Sequence, residues 1–298
     1  MKPQHRIIFA LPVTLGALLL ASAAGCASWK KSDESPSEFL PKPKQSLDSV
    51  LVTTVLVRFP YRKLEKLQEI WNSTDESIFD IELRERLAMN GLRAGRFIGD
   101  LPSIIREQID ETAAQQNSDA LEHAGLAADV DNRMRQLQCR AGRRKDLLVR
   151  REVNEPLTVL TSKDGKVSGE TFDNPAVLFD LRAIPHGDGQ ATIELVPEVQ
   201  YGAHRQSYVA SEFGVRPEMR RSQRVWRELK MSAKLRPGEI LAIASVHPPK
   251  ALGSVFFTTQ TADQTQEYVV LLIRVGETQL DELFAPEDVE QAQTMAER

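Results

Sequence analysis

The chain has 298 residues, enough for one or two domains with a real core, and its 41% hydrophobic and 27% charged residues are those of a folded globular protein. That balance excludes a disordered chain and a many-pass membrane protein. The net charge of −4 gives no global attraction to nucleic acid, so none is expected as a partner.

The first segment carries the most specific signal. Lys2, His5 and Arg6 make a basic start, and Ile7 to Ala24 is apolar, broken by Pro12 and Gly16. Ala23, Ala24 and Gly25 then lead into Cys26. Residues 1–25 read as a secretory signal peptide. Small residues just before a cysteine resemble a bacterial lipobox. The resemblance implies that the Cys26 thiol is acylated with diacylglycerol and becomes the mature N-terminus, anchoring the protein to a membrane. Ala23 stands where Leu is usual, so cleavage by ordinary signal peptidase is an alternative. An uncleaved membrane helix is another, although the run is short for a span. Removing residues 1–25 takes away Lys2 and Arg6 and no acid, so the charge goes from −4 to −6. With Cys26 committed to lipid, Cys139 has no partner for an intramolecular disulfide. It reads as a small buried apolar residue, since no His or Asn pattern supports a nucleophile.

Residues 26–47 are rich in Ser, Lys, Pro and acids and read as a flexible tether. A small α+β domain is expected over 48–113. Val50 to Val57 (VLVTTVLV) is a buried strand stopped by Pro60. Tyr61 to Trp71 switches to helical period, with Leu64, Leu67 and Trp71 on one face. Glu82 to Met89 is a second short helix, ended at Asn90-Gly91. Leu92 to Ile98 is a strand and Ile104 to Ile109 a further helix. Residues 114–132 are polar and weakly patterned, a linker.

A β-rich antiparallel domain is expected over 133–276. Its first part is a basic tract, Arg133 to Arg151, that reads as a β-hairpin turning at Ala141-Gly142-Arg143 with basic residues facing outward. A patch for anionic polymer or lipid headgroups is the competing reading, and the lack of aromatics there argues against single-stranded nucleic acid. Leu157 to Leu160 and Val167 to Glu170 flank a hairpin turn at Asp164-Gly165. Ala176 to Ala183 and Ala191 to Val199 alternate around a turn at 186–189. Gln206 to Phe213 and Arg224 to Leu235 are weaker strands joined by an Arg-rich connection around Pro217. Glu239 to Val246, Val255 to Thr258 and Glu267 to Val275 complete the strands, with YVVLLIRV as the central one. Residues 277–298 form an acidic tail. The whole reads as α+β: a small N-terminal α+β domain followed by a mainly antiparallel β-domain.

No catalytic constellation emerges. The five histidines show no i, i+4 pair and no H-E-x-x-H, so no metal or other cofactor is expected. Ser168 in G-K-V-S-G is not a nucleophile elbow. Asp180, Glu194 and Glu198 fall on neighbouring strands, and paired carboxylates can hydrolyse glycosides. The wet face of most β-proteins offers such pairs, and no aromatic sugar platform lies nearby in sequence.

Two stretches carry a resemblance. Phe179, Leu181, Ile184, Pro185, Gly189, Ile193, Leu195, Pro197 and Glu198, then Gly238, Leu252, Gly253, Phe256, Phe257 and Val269 to Ile273, resemble the C-terminal β-domain of bacterial secretins, the outer-membrane gates of secretion and pilus systems. The family's Pro-x-Leu-Gly-x-Ile-Pro signature is replaced here by PPKALGSVFF, and 204–235 is richer in arginine than lipid-facing strands. The resemblance implies a secretin-like β-fold in the cell envelope, on the periplasmic face of the outer membrane, open to a ring assembly and without catalytic residues. The expected protein is a non-enzymatic lipoprotein that contacts envelope proteins or further copies of itself. Arg220, Arg221 and Arg224 are its candidate contact rim for an acidic partner. A channel-forming secretin homologue and an envelope enzyme acting on polysaccharide are the alternatives.

Overall fold

The computed structural model describes residues 48–60, 68, 70–97, 100–110, 134–150, 155–211, 214–260 and 266–280. The expected signal peptide, Cys26, the expected tether and 114–132 linker, most of the expected Tyr61 to Trp71 helix and the residues beyond Leu280 lie outside these residues. The described residues belong to one unit, Gln45–Arg298.

The architecture is β-rich, with antiparallel sheets. The first sheet runs β2 (Thr74–Asp75), β3 (Leu92–Phe97), β12 (Ile240–Ser245), β14 (Gln266–Gln279), β1 (Ser49–Pro60), β4 (Arg135–Arg140), with β13 (Thr258–Gln260) also paired to β14. Its centre is buried on both faces. Leu271, Ile273 and Val275 of β14 face one core with Val50, Val52, Leu241 and Ile243. Tyr268, Val270 and Leu272 face another with Val57, Phe59, Trp71, Phe97 and Ile105. This two-sided burial is why YVVLLIRV is apolar without alternation. β1 to β3 come from the segment read as the small α+β domain. They share this sheet with β12 and β14, so the boundary at 113 divides the sequence but not the sheet.

The second sheet runs β10 (Gly214–Val225), β9 (Ala191–Ser211), β8 (Ala176–Pro185), β5 (Lys145–Arg150), with β11 (Met231–Leu235) also on β9. Val177, Phe179, Leu181, Ile193 and Leu195 alternate into the core shared with the first sheet. β6 (Leu157–Lys163) and β7 (Lys166–Phe172) form a separate hairpin. Its turn takes positive φ at both Asp164 and Gly165, the geometry that Asp-Gly accepts and that matches strand twist.

Helix α1 (Ile81–Met89) is capped by Asp80, whose Oδ1 accepts the Leu83 N–H at 2.7 Å, worth about 1 kcal/mol. Asn90 ends it and ties it to the β6–β7 hairpin, donating to the Ser162 carbonyl at 2.9 Å and accepting from its N–H at 2.8 Å. Helical residues also occur at 103–110, where a short helix was expected.

Three expectations are corrected. β4 and β5 do not pair: β4 joins β1 in the first sheet and β5 joins β8 in the second. The Ala141-Gly142 turn is a corner between sheets, held by Ala141 N–H to Asp48 O at 2.7 Å and Gly142 N–H to Ala183 O at 3.0 Å. It forms because Cys139 and Leu147 both bury in the shared core. Second, Val255 to Phe257 is helical, within α2 (Ala251–Phe257), and only then does β13 begin. Leu252, Val255 and Phe256 recur at helical spacing and fill the core, and Phe256 packs 5.0 Å from Phe179. Gly253 allows this, because a Cβ there would overlap the Gly91 carbonyl, to which the two turns are pressed. Third, the Arg-rich stretch around Pro217 is not a connection but strand β10 itself. Pro217 is tolerated because β10 is an edge strand.

Candidate functional site

The outer face of the second sheet gathers most of the polar residues that the sequence singled out. Alternation puts Asp180 and Arg182 of β8 and Glu194, Glu198 and Gln200 of β9 on the side opposite the core, and antiparallel register makes them neighbours (Arg182 opposite Glu194). Each carboxylate holds a cation. Asp180 is 3.2 Å from Arg182, Glu194 is 2.6 Å from Lys230, and the fully buried Glu198 is 2.8 Å from Arg144. Arg144 also meets Asp146 at 2.8 Å, and the Gln200 amide donates to both Asp146 and Glu198. Burial works against the charge on Arg144, but Glu198 and Asp146 more than offset it and hold the guanidinium protonated beyond an ordinary arginine.

Two adjoining depressions, of about 370 and 510 Å³, open on this face and share Arg144 and Gln223. Their walls carry Arg144, Lys145, Arg182, Arg220, Arg221, Arg227 and Lys230 against Asp146, Asp180 and Glu194. Counting Glu198 beneath Arg144, seven cations meet four carboxylates. A chain of net charge −4 thus presents a locally basic face.

Beside it runs an arm. β9 continues past Gln200, where its pairing with β8 ends, and among the described residues only β10 pairs with it there, from Tyr201 opposite Ser222 to Ser211 opposite Gly214. Eleven residues at strand rise make a two-stranded ribbon about 35 Å long. It is rooted by Gly202, whose N–H donates to Asp173 O at 2.8 Å, and by a register shift between Arg220 and Ser222. Register places Tyr208 opposite Pro217 and Gln206 opposite Met219, on one face of the ribbon. Tyr208 is 70% exposed and Met219 61%. Both large apolar side chains thus stand exposed on the same face of the ribbon.

The candidate rim residues lie at or near the root of the arm. Arg221 donates from Nε to Gly202 O at 2.9 Å and from its guanidinium to Asn174 O. Arg224 pairs with Glu170 at 3.0 Å and lies 5.9 Å from the Trp226 ring centre. Arg220 is exposed and lines the larger depression. Cys26 lies outside the described residues. Sequence reasoning had Arg144 only as part of the basic 133–151 tract and missed Lys230, Tyr208 and Met219. The arm carries almost no hydrophobic pattern, so the sequence offered little signal for it. Among the described residues, no group of three or more His, Cys, Asp or Glu is placed to hold a metal ion. No helix among them is long and apolar enough to cross a membrane, which says nothing of strands.

No protein-family model matches the chain, and no curated protein matches it. Among solved structures, it shows a likeness to the InvG secretin domain β-barrel from the Salmonella SPI-1 injectisome NC-base, at 11% identity. The match covers 83% of this chain and 66% of that one, with a TM-score of 0.18. The chain therefore spans about two thirds of that structure's length, and at this TM-score no residue or role is carried across.

Proposed function

We propose that the protein is a non-enzymatic lipoprotein of the bacterial cell envelope, a structural or protein-interaction component of a secretion or pilus assembly. In this reading Cys26 carries the lipid, residues 26–47 tether the β-rich body at the periplasmic face of the outer membrane, and the 48–113 segment supplies an α+β portion next to a secretin-like β-module. The observation that carries it is the β9–β10 arm. A two-stranded ribbon is marginal alone in water, and among the described residues no further strand pairs with either of its outer edges beyond the sheet. Its stable state is one in which another strand or surface covers it, with Tyr208 and Met219 as apolar anchors. The basic face beside it, with Arg220, Arg221 and Arg224 near the arm's root, suits an acidic protein surface. The ion pairing of Asp180, Glu194 and Glu198 supports scaffolding over acid–base chemistry.

The test replaces 203–219 with an Asn-Gly turn in the full chain. Light scattering and affinity capture from solubilised envelopes should show assemblies or partners with the natural chain, lost in the variant at an unchanged melting temperature. A monodisperse monomer that captures nothing, or a variant that keeps its partners, would refute the reading. Mass spectrometry of the mature N-terminus tests the anchor, and an unmodified Cys26 removes it. The same arm favours a second reading, a channel-forming secretin homologue, because hairpins laid edge to edge close into a barrel without free edges. Detergent-resistant multimers with pore conductance would select it.

A further inference from the structure

A cavity of about 290 Å³ lies between α1, the helical residues near Trp71 and strands β3, β12 and β14. Part of its wall is buried apolar surface, including Leu87 and Val270, with the Trp71 indole alongside. The charges on that wall do not balance. Glu76 is the only carboxylate among its described lining residues, against the guanidiniums of Arg84 and Arg93. Arg93 takes Glu76, donating from Nε to Oε1 at 2.7 Å, and lies 4.6 Å over the Trp71 ring. Arg84 Nε is buried, and no described residue accepts its hydrogen bond. A buried guanidinium N–H without an acceptor is costly, and the group that relieves it best is an anion.

We propose that this cavity binds a small apolar carboxylate, with the carboxylate on Arg84 and the hydrocarbon body against Trp71, Leu87 and Val270. The size suits a molecule of on the order of ten non-hydrogen atoms. The chemistry is that of ligand pockets generally: an apolar enclosure with one or two polar groups that fix orientation. A charge-assisted hydrogen bond made away from bulk water distinguishes a carboxylate from its neutral amide by about tenfold or more.

The probes are 4-fluorophenylacetate and 4-fluorophenylacetamide, which differ in charge and hardly in shape, titrated against the full chain with ligand-observed fluorine NMR. The acid should bind at least about tenfold more tightly than the amide, and Arg84→Met should abolish that preference while the protein still melts as before. Equal affinity for acid and amide, acid binding unchanged in Arg84→Met, or no acid binding at millimolar concentration would overturn the proposal. If Arg84→Met does not fold, Arg84→Lys is measured instead, since it keeps the charge but displaces the donor. Weakened acid binding then supports the site and unchanged binding overturns it. The acid–amide comparison on the natural chain stands whatever the variants do.

Discussion

Arg144 is the residue on which the charged face depends. Glu198 is wholly buried, and its Oε1 is met by Arg144 and Gln200, of which only Arg144 is charged. Arg144→Ala would leave a buried carboxylate without a cation, a loss of about 3 kcal/mol in urea unfolding. The double variant Arg144→Met, Glu198→Leu should recover most of it, because removing both partners avoids the stranded charge. If Arg144→Ala melts like the natural protein, the pair does not organise this face. Cys139 is the second informative residue. It is fully buried, and burial pushes its thiol up from an ordinary 9.0 to about 11, with Lys145 acting weakly the other way. The folded-state value is the higher one. The stability it contributes is therefore complete below pH 9 and is lost as pH rises towards 11. At pH 8 the folded chain should resist iodoacetamide at Cys139 and react promptly in denaturant, as mass spectrometry would read. Rapid labelling of the folded protein would contradict the burial.

At the scale of elements, the strands that the sequence revealed best are those with a single demand on each side chain. β8 and the first half of β9 alternate because one face is apolar core and the other carries ion-paired polar side chains, and Tyr268 to Ile273 of β14 is apolar without alternation because both its faces are core. The end of α1 was readable because Asn90-Gly91 stops the helix locally. What stayed hidden depends on distant partners. Nothing near Ala141-Gly142 distinguishes a hairpin from a corner, because the distinction lies in whether β4 and β5 meet each other or β1 and β8. VFF has strong β-propensity, and its helix is imposed by the Gly91–Gly253 contact and by the space beside Phe179. Arginines and a proline made β10 look like a loop, since an arm with little core behind it shows almost no hydrophobic pattern. The candidate rim residues were thus legible as charges, but not as neighbours of a ribbon.

For the molecule as a whole, the first sheet is assembled from both ends of the described chain. β14 has β1 on one side and β12 on the other, and β12 in turn has β3. A fragment comprising residues 114–298 would expose the β14 edge where β1 lies and the β12 edge where β3 lies, together with apolar side chains on both faces. It should lack a cooperative melt by circular dichroism and aggregate by light scattering. A fragment that unfolds sharply as a monomer would show that 133–276 is a domain in its own right. The place of β1 has a mechanical consequence. It is the first described strand after residue 47, and it lies between β14 and β4, with ladders on both sides. A pull on the chain ahead of Asp48, directed along β1, would load those ladders in shear, so their hydrogen bonds must fail together instead of one after another. Tension arriving from the N-terminal side would therefore meet the sheet along two ladders loaded together, and the rate of their joint rupture would set how long the body holds under load.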